Sequence, residues 1–231
     1  MAKLYFRYGA MGSSKTANAL MVRYNYIERG RNVILLKPRI DRRDGEKVIR
    51  SRIGLSAECE FVENFVLYAE KNWKTSEDAS WCSCIIIDEC QFMTPEQVDF
   101  MAHIVDDMDV PVICYGLRTD FQSHMFPGSA RLFELADVIE QIPTVCWCGK
   151  KAQFNARVID GKMIREGEQI FLGANESYVA LCRRHFMSGQ FLPPKKPSVK
   201  DWEAAMQVLP EETFEEAHQG RGEEKGSKEE P

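Results

Sequence analysis

The sequence predicts an α/β fold, a parallel sheet flanked by helices and followed by a small β-rich module. Three observations carry that expectation. An apolar strand at the start of the chain runs straight into a glycine-rich turn and a helix. Further apolar runs alternate with helical stretches, the order that implies parallel strands. At Thr144 the character changes, and turn glycines and paired cysteines take over.

Taken in order, Leu4 to Tyr8 reads as a buried strand. Residues 15 to 29 carry Ala19, Leu20, Val22, Tyr26 and Ile27 at helical spacing, and Gly30 stands where a helix stop belongs. Asn32 to Lys37 is a second apolar strand. Residues 38 to 58 are charged and weakly patterned, which predicts an irregular, mobile surface segment. Cys84 to Asp88, CIIID, is a third strand, apolar throughout as central parallel strands are. Thr94-Pro95-Glu96-Gln97 supplies a cap, a first-turn proline and a capping-box glutamine for a helix to about Asp107. Val110 to Tyr115 and Val138 to Ile142 complete the strands, with a helix near 129 to 135 between them. No internal repeat is present.

Composition excludes several classes. The hydrophobic and charged fractions, 44% and 28%, are those of a soluble globular protein with a full core. No apolar run approaches the roughly 18 residues that span a bilayer, so no membrane is expected. The start of the chain is too short and too charged to read as a signal peptide. Eight irregularly spaced cysteines point to a reducing cytoplasm, with free thiols or a metal site rather than a disulfide framework. The net charge of −5 resides in the last 23 residues, which hold eight Glu against three Lys or Arg. The remaining body is balanced, which argues against a nucleic-acid partner.

The stretch GAMGSSKT, Gly9-Ala10-Met11-Gly12-Ser13-Ser14-Lys15-Thr16, nearly matches the phosphate loop G-x-x-x-x-G-K-[ST]. Ser14 stands where that pattern has glycine, and we expect it to enter the helix with a negative φ. The turn's N–H groups and the helix N-terminus offer fixed dipoles to phosphate oxygens. Lys15 would add charge at the β- and γ-phosphates, and Thr16 a hydroxyl for Mg²⁺. An ordinary strand-to-helix turn could give the same string.

The second half of the signal is IIIDE, Ile85 to Glu89. Asp88 is the candidate Mg²⁺ partner. Glu89 is the candidate base, for a water in an ATPase or a substrate hydroxyl in a kinase. A solvated acidic pair ending a strand is the bland alternative. Both features lie at the C-terminal ends of strands, where open α/β sheets bind ligands.

Cys146-Trp147-Cys148 and Cys182-Arg183-Arg184-His185 offer three sulfurs and an imidazole, with 33 residues between the pairs. Four protein ligands make a closed, structural zinc site rather than a catalytic one. Unpaired core cysteines are the alternative, and Cys82 and Cys84 are expected to pack in their strand.

These residues leave three readings open: a phosphate-loop phosphotransferase, an ATPase acting on nucleic acid, and a non-catalytic zinc-stapled interaction module. The combination of GAMGSSKT, DECQF, GLRTDF, CWC and GANESYVALCRRH goes further. It resembles the type II (cellular and bacterial) thymidine kinases, from the first strand to about Phe186. The resemblance implies transfer of phosphate from ATP to the 5′-hydroxyl of thymidine, with Mg²⁺ and structural Zn²⁺, in a cytoplasmic homotetramer. It implies that Glu89 takes the hydroxyl proton, and that Asp88 and Gln91 stand with the phosphate loop at ATP and metal. Met11, Leu117, Phe121 and Phe126 would wall the thymine and sugar, with Gly173 and Tyr178 at the nucleoside. Cys146, Cys148, Cys182 and His185 match the zinc ligands, and the loop between the pairs resembles a lasso closing over thymidine. Asp41 and Arg43 match a flexible segment at the active site. Ala174 departs from the family, where a second glycine is common. The expected organisation is a phosphate-loop domain at 1–143, a zinc-stapled lasso domain at 144–192, and a charged, disordered tail at 193–231 with a short helix at Val199 to Val208.

Overall fold

The structure, a computed structural model, describes residues 1–43, 45–167, 169 and 178–193. Gly173, Ala174 and the expected tail helix lie outside the described residues. Residues 1–192 form one compact unit.

The elements run β1 (Leu4–Tyr8), α1 (Lys15–Glu28), β2 (Val33–Lys37), β3 (Val48–Arg50), β4 (Ser56–Glu58), β5 (Glu60–Phe61), α2 (Val62–Asn72), α3 (Ser76–Ala79) and β6 (Cys84–Ile87). After a 3₁₀ turn at Cys90–Phe92 come α4 (Pro95–Met108), β7 (Val112–Gly116), α5 (Pro127–Leu135) and β8 (Val138–Gln141). The β-rich module adds β9 (Phe154–Ile159), β10 (Lys162–Ile164), β11 (Tyr178–Leu181) and α6 (Arg183–Ser188).

Six strands form one sheet in the order β5-β2-β6-β7-β1-β8, every pair parallel. Strand alternation divides the core between its two faces. Ile85, Ile87, Val112 and Cys114 join Phe65 of α2, Met101 and Ile104 of α4 and Leu132 of α5 on one side. Ile86, Ile113 and Tyr115 join Ala19 and Leu20 of α1 on the other. Burial of both faces is why β6 and β7 read as unbroken apolar runs. Capping works as the sequence predicts: Thr94 Oγ1 accepts from Gln97 N at 3.3 Å, and Thr94 N donates to Gln97 Oε1 at 3.0 Å. Gly30 takes the left-handed conformation (φ +70°) that ends α1.

Two regions differ from expectation. The segment 38 to 58 is not wholly irregular: β3 and β4 pair antiparallel, and Ile49 is buried against α1 and the sheet. The fully buried Lys37 holds the approach to this hairpin, its Nζ donating to Gly45 O at 2.7 Å and Val48 O at 2.9 Å. Helix α2 is an addition, and its signal was there to read. Val62, Phe65 and Ala69 share one buried face, with Glu63 in the first turn and Lys71 in the last.

The β-rich module is a three-stranded antiparallel sheet, β10-β9-β11. It has its own apolar cluster of Cys146, Ala152, Ala156, Leu181, Cys182 and Phe186. No described helix is long and apolar enough to cross a membrane.

Candidate functional site

The phosphate-type loop leaves β1 at Tyr8 and closes on itself before α1. Gly9 N donates to Gly116 O at 3.2 Å, and a Cβ at Gly9 would strike Ser13 and come within 2.6 Å of Ile142 O. Gly12 is left-handed (φ +77°), and so is Ser14 (φ 59°, ψ 26°). The expectation of a negative φ at Ser14 is therefore wrong. Left-handed residues at 12 and 14 curl the chain tightly between β1 and α1, the kind of backbone from which anion nests are built. Ser14 makes no side-chain cap; its carbonyl accepts from Asn18 N at 2.9 Å.

Lys15 is buried, and its Nζ folds back onto Gly9 O (3.2 Å), Ala10 O (3.0 Å) and Ser13 Oγ (3.3 Å). Burial lowers its pKa, against the opposing pull of Glu89 and Asp88. Asp88 is anchored by its N–H to Leu36 O at 2.9 Å, while its buried Oδ1 has no hydrogen-bond partner. Burial, then the charge of Glu89, pushes the Asp88 carboxyl up to about 7, with the Thr16 hydroxyl bond opposing. An orphaned carboxylate oxygen beside a threonine hydroxyl is a donor set that fits a hard divalent cation.

Glu89 also has a left-handed backbone (φ 52°). Its Oε1 meets Arg43 Nη2 at 2.5 Å, and its Oε2 accepts from Gln91 Nε2 at 2.5 Å. Burial alone would raise its pKa, but Arg43, Lys15 and Gln91 together hold the carboxyl below the usual range. Arg43 in turn is held by Asp41 Oδ1 at 2.7 Å from Nε. Gln91, 1% exposed, accepts from Leu117 N at 2.9 Å through Oε1. Ser129 Oγ donates to Leu117 O at 2.6 Å.

These groups open on one cavity of about 460 Å³. It brings together Met11 to Thr16, Asp41, Arg43, Asp88, Glu89 and Gln91 with Leu117, Phe121, Phe126 and Tyr178. Gly9 and Ala10 do not line it; their carbonyls hold Lys15 from behind. A polar group that sequence reasoning missed joins the two ends. Asn155 of β9, buried, accepts from Met11 N at 2.7 Å and donates through Nδ2 to Thr119 O at 3.1 Å. Arg157, two residues on, lies 3.7 Å over the Phe121 ring and donates to Tyr178 Oη at 2.9 Å. Both sit on one face of β9, so the polar alternation in Phe154-Asn155-Ala156-Arg157 was a signal, though burial of that face was not legible.

In the module, Cys146, Cys148, Cys182 and His185 bring their ligand atoms within 4.8 Å of one another. Cys146 Sγ and Cys182 Sγ lie 3.3 and 3.5 Å from His185 Nδ1, and Cys148 Sγ lies 3.9 Å from Cys182 Sγ. A tetrahedral zinc centre separates its ligand atoms by roughly 3.5–3.8 Å, so the group fits that ion. Trp147 stacks on His185 at 4.0 Å, fixing the ring. Cys82 and Cys84 are buried in and beside β6, where their sulfurs meet backbone carbonyls at 3.6 Å.

Comparison with known proteins agrees with this geometry. A family model described as thymidine kinase matches residues 2–186. The thymidine kinase of Shewanella oneidensis is 43% identical over 80% of this chain and 97% of its own length. That of Jannaschia sp. is 46% identical over 80% and 95%, and that of Lactiplantibacillus plantarum 44% identical over 84% and 98%. Two solved structures that align are more distant. A DNA replication initiation factor has a TM-score of 0.36 at 13% identity, covering 62% of this chain and 40% of its own. A Bacteroides Pif1 helicase has a TM-score of 0.39 at 16% identity, covering 61% and 38%. On the family match and these relatives, the chain belongs to the thymidine kinase family.

Proposed function

We propose that the chain transfers the γ-phosphoryl group of ATP to the 5′-hydroxyl of thymidine, giving ADP and thymidine monophosphate. The observation that carries this reading is a single cavity with a phosphate-type loop and a carboxylate pair at one end and an aromatic wall at the other. Family membership supplies the substrate class.

In this reading the phosphates are cradled by the loop N–H groups not already spent by Gly9, Met11 and Ser13, together with those opening α1, and Lys15 leaves the loop carbonyls to reach them. Thr16 and the free oxygen of Asp88 would hold Mg²⁺, which supplies neutralisation of phosphate charge when bound. Glu89, kept ionised by Arg43 and Gln91, accepts the proton of the 5′-hydroxyl. A carboxylate held below its ordinary range is a weak base. That suffices where the transition state is loose and positioning does most of the work. Met11, Leu117, Phe121, Phe126 and Tyr178 bound the nucleoside. Zinc at Cys146, Cys148, Cys182 and His185 staples the ends of the lasso that includes Gly173.

We further propose the organisation in which 1–143 bind nucleotide, 144–192 form the lasso domain and 193–231 a charged tail, in a cytoplasmic homotetramer. Neither nucleic acid nor membrane is a partner in this reading.

A coupled assay of ADP release, with the monophosphate followed by chromatography, tests it. Thymidine should be required for turnover. Glu89→Gln should lower kcat by about 10²–10⁴-fold, the usual reach of a general base, while ATP still binds. ATP turnover indifferent to thymidine, with no monophosphate formed, would sink the proposal.

A further inference from the structure

Leu117 lies one residue beyond β7, where strand pairing has ended, and both its backbone groups are taken by side chains. Its N–H goes to Gln91 Oε1 at 2.9 Å and its carbonyl accepts from Ser129 Oγ at 2.6 Å. Gln91 spends its other end on Glu89 Oε2 at 2.5 Å. A four-part chain, Glu89–Gln91–Leu117–Ser129, therefore runs from the carboxylate pair to the apolar wall. Gln91 and Ser129 are almost wholly buried, so water competes for neither bond at Leu117, and the Glu89 bond is part-buried.

The backbone around the chain is fitted to it. A Cβ at Gly116 would come within 2.6 Å of Cys90 Sγ and 2.7 Å of Gln91 Oε1. A Cβ at Gly128, at the start of α5, would meet Met93 O at 2.5 Å and Cys90 O at 2.9 Å. Two missing side chains thus let β7 and α5 close on the turn that carries Gln91.

Resting on the proposed kinase reading, we propose that Gln91 is a positioning residue for this reaction: it fixes the Glu89 carboxylate relative to the nucleoside wall at Leu117, so that base and substrate hydroxyl keep one register. Displacing reacting groups by about 1 Å can cost 10²-fold in rate, so such a tie has a kinetic signature. Its two bonds also have separable consequences. The bond to Glu89 bears on kcat, and the bond to Leu117 on thymidine KM.

The experiment is steady-state kinetics on the full chain with Gln91→Met, Gln91→Glu and Ser129→Ala, alongside thermal unfolding. Gln91→Met keeps the length and removes both bonds; it should lower kcat at least tenfold and raise thymidine KM several-fold, with ATP KM within twofold. Gln91→Glu keeps an acceptor for Leu117 N and sets a like charge against Glu89. It should lower kcat comparably while holding thymidine KM near the parent value. Ser129→Ala should raise thymidine KM with a smaller effect on kcat than Gln91→Met. Combined with Gln91→Met it should add less than its single effect, because both act through Leu117. Equal KM increases in Gln91→Met and Gln91→Glu would overturn the proposal. So would losses that follow the folded fraction alone, with both KM values unmoved. Glu89→Gln separates the two failures. If it keeps full activity, the kinase roles themselves are wrong; if it is dead while Gln91→Met is normal, only the tie is.

Discussion

At the phosphate end of the cavity, the groups come from six consecutive residues, Met11 to Thr16, backed by Gly9 and Ala10, and from Asp88 and Glu89 just beyond β6. At the nucleoside end they come from Met11, Leu117, Asn155 and Tyr178, scattered along the chain and joined by long-range hydrogen bonds. The first end is set by local backbone geometry and a sheet that both faces of the core support. The second depends in part on the β-rich module, which supplies Asn155 and Tyr178. The two ends should therefore fail separately, and for different reasons.

Removing zinc should break the contrast most severely. Cys182→Ser, or a strong chelator, takes away an ion whose binding is typically worth about 10–16 kcal/mol in small zinc modules. Thymidine binding should be lost by calorimetry while ATP still binds, because among the described residues no hydrogen bond joins the phosphate loop to the side chains of Cys146, Cys148, Cys182 or His185. Simultaneous loss of both would mean the ends are not separable. A milder blow is Asn155→Leu, which leaves Met11 N and Thr119 O unpaired at about 1–3 kcal/mol for each group that water cannot reach. It should lower the melting temperature by several degrees and raise thymidine KM more than ATP KM. An equal rise in both would place Asn155 with the phosphate end. The smallest effect belongs to Ser14→Gly. Relief of a left-handed serine is worth about 1 kcal/mol, so the melting temperature should rise by about 2–4 °C. ATP affinity should change by less than about tenfold, or 1.4 kcal/mol. A drop in melting temperature would show that Ser14 contributes something its backbone does not reveal.

The same contrast governs what could be read in advance. The loop and the acidic pair were legible because each is contiguous and each ends an apolar run. The φ of Ser14 was misjudged because a serine in place of glycine suggested an ordinary helical torsion, whereas the tight curl takes a left-handed one with serine in place. Helix α2 was passed over although Val62, Phe65 and Ala69 mark one face, since the charged residues around it masked the period. The hairpin at 48 to 58 is short, and Ile49 gives it a single buried contact to announce it. Asn155, Ser129 and the second bond of Gln91 were beyond reach for another reason. Their partners lie 144, 12 and 26 residues away, and nothing in a linear string says which polar residue will meet which backbone group.

Gly116 sits where the two ends meet. Its carbonyl receives the N–H of Gly9, and the place of its missing side chain is filled by Cys90 and Gln91. Its restriction is one of room rather than torsion, since its φ is not among the positive ones. For an evolving gene this makes the position a bottleneck. A change to alanine, ordinarily the gentlest of replacements, would press one methyl against both halves of the machine. Neighbouring wall residues can drift toward new nucleoside shapes, but they must do so around a fixed hydrogen atom.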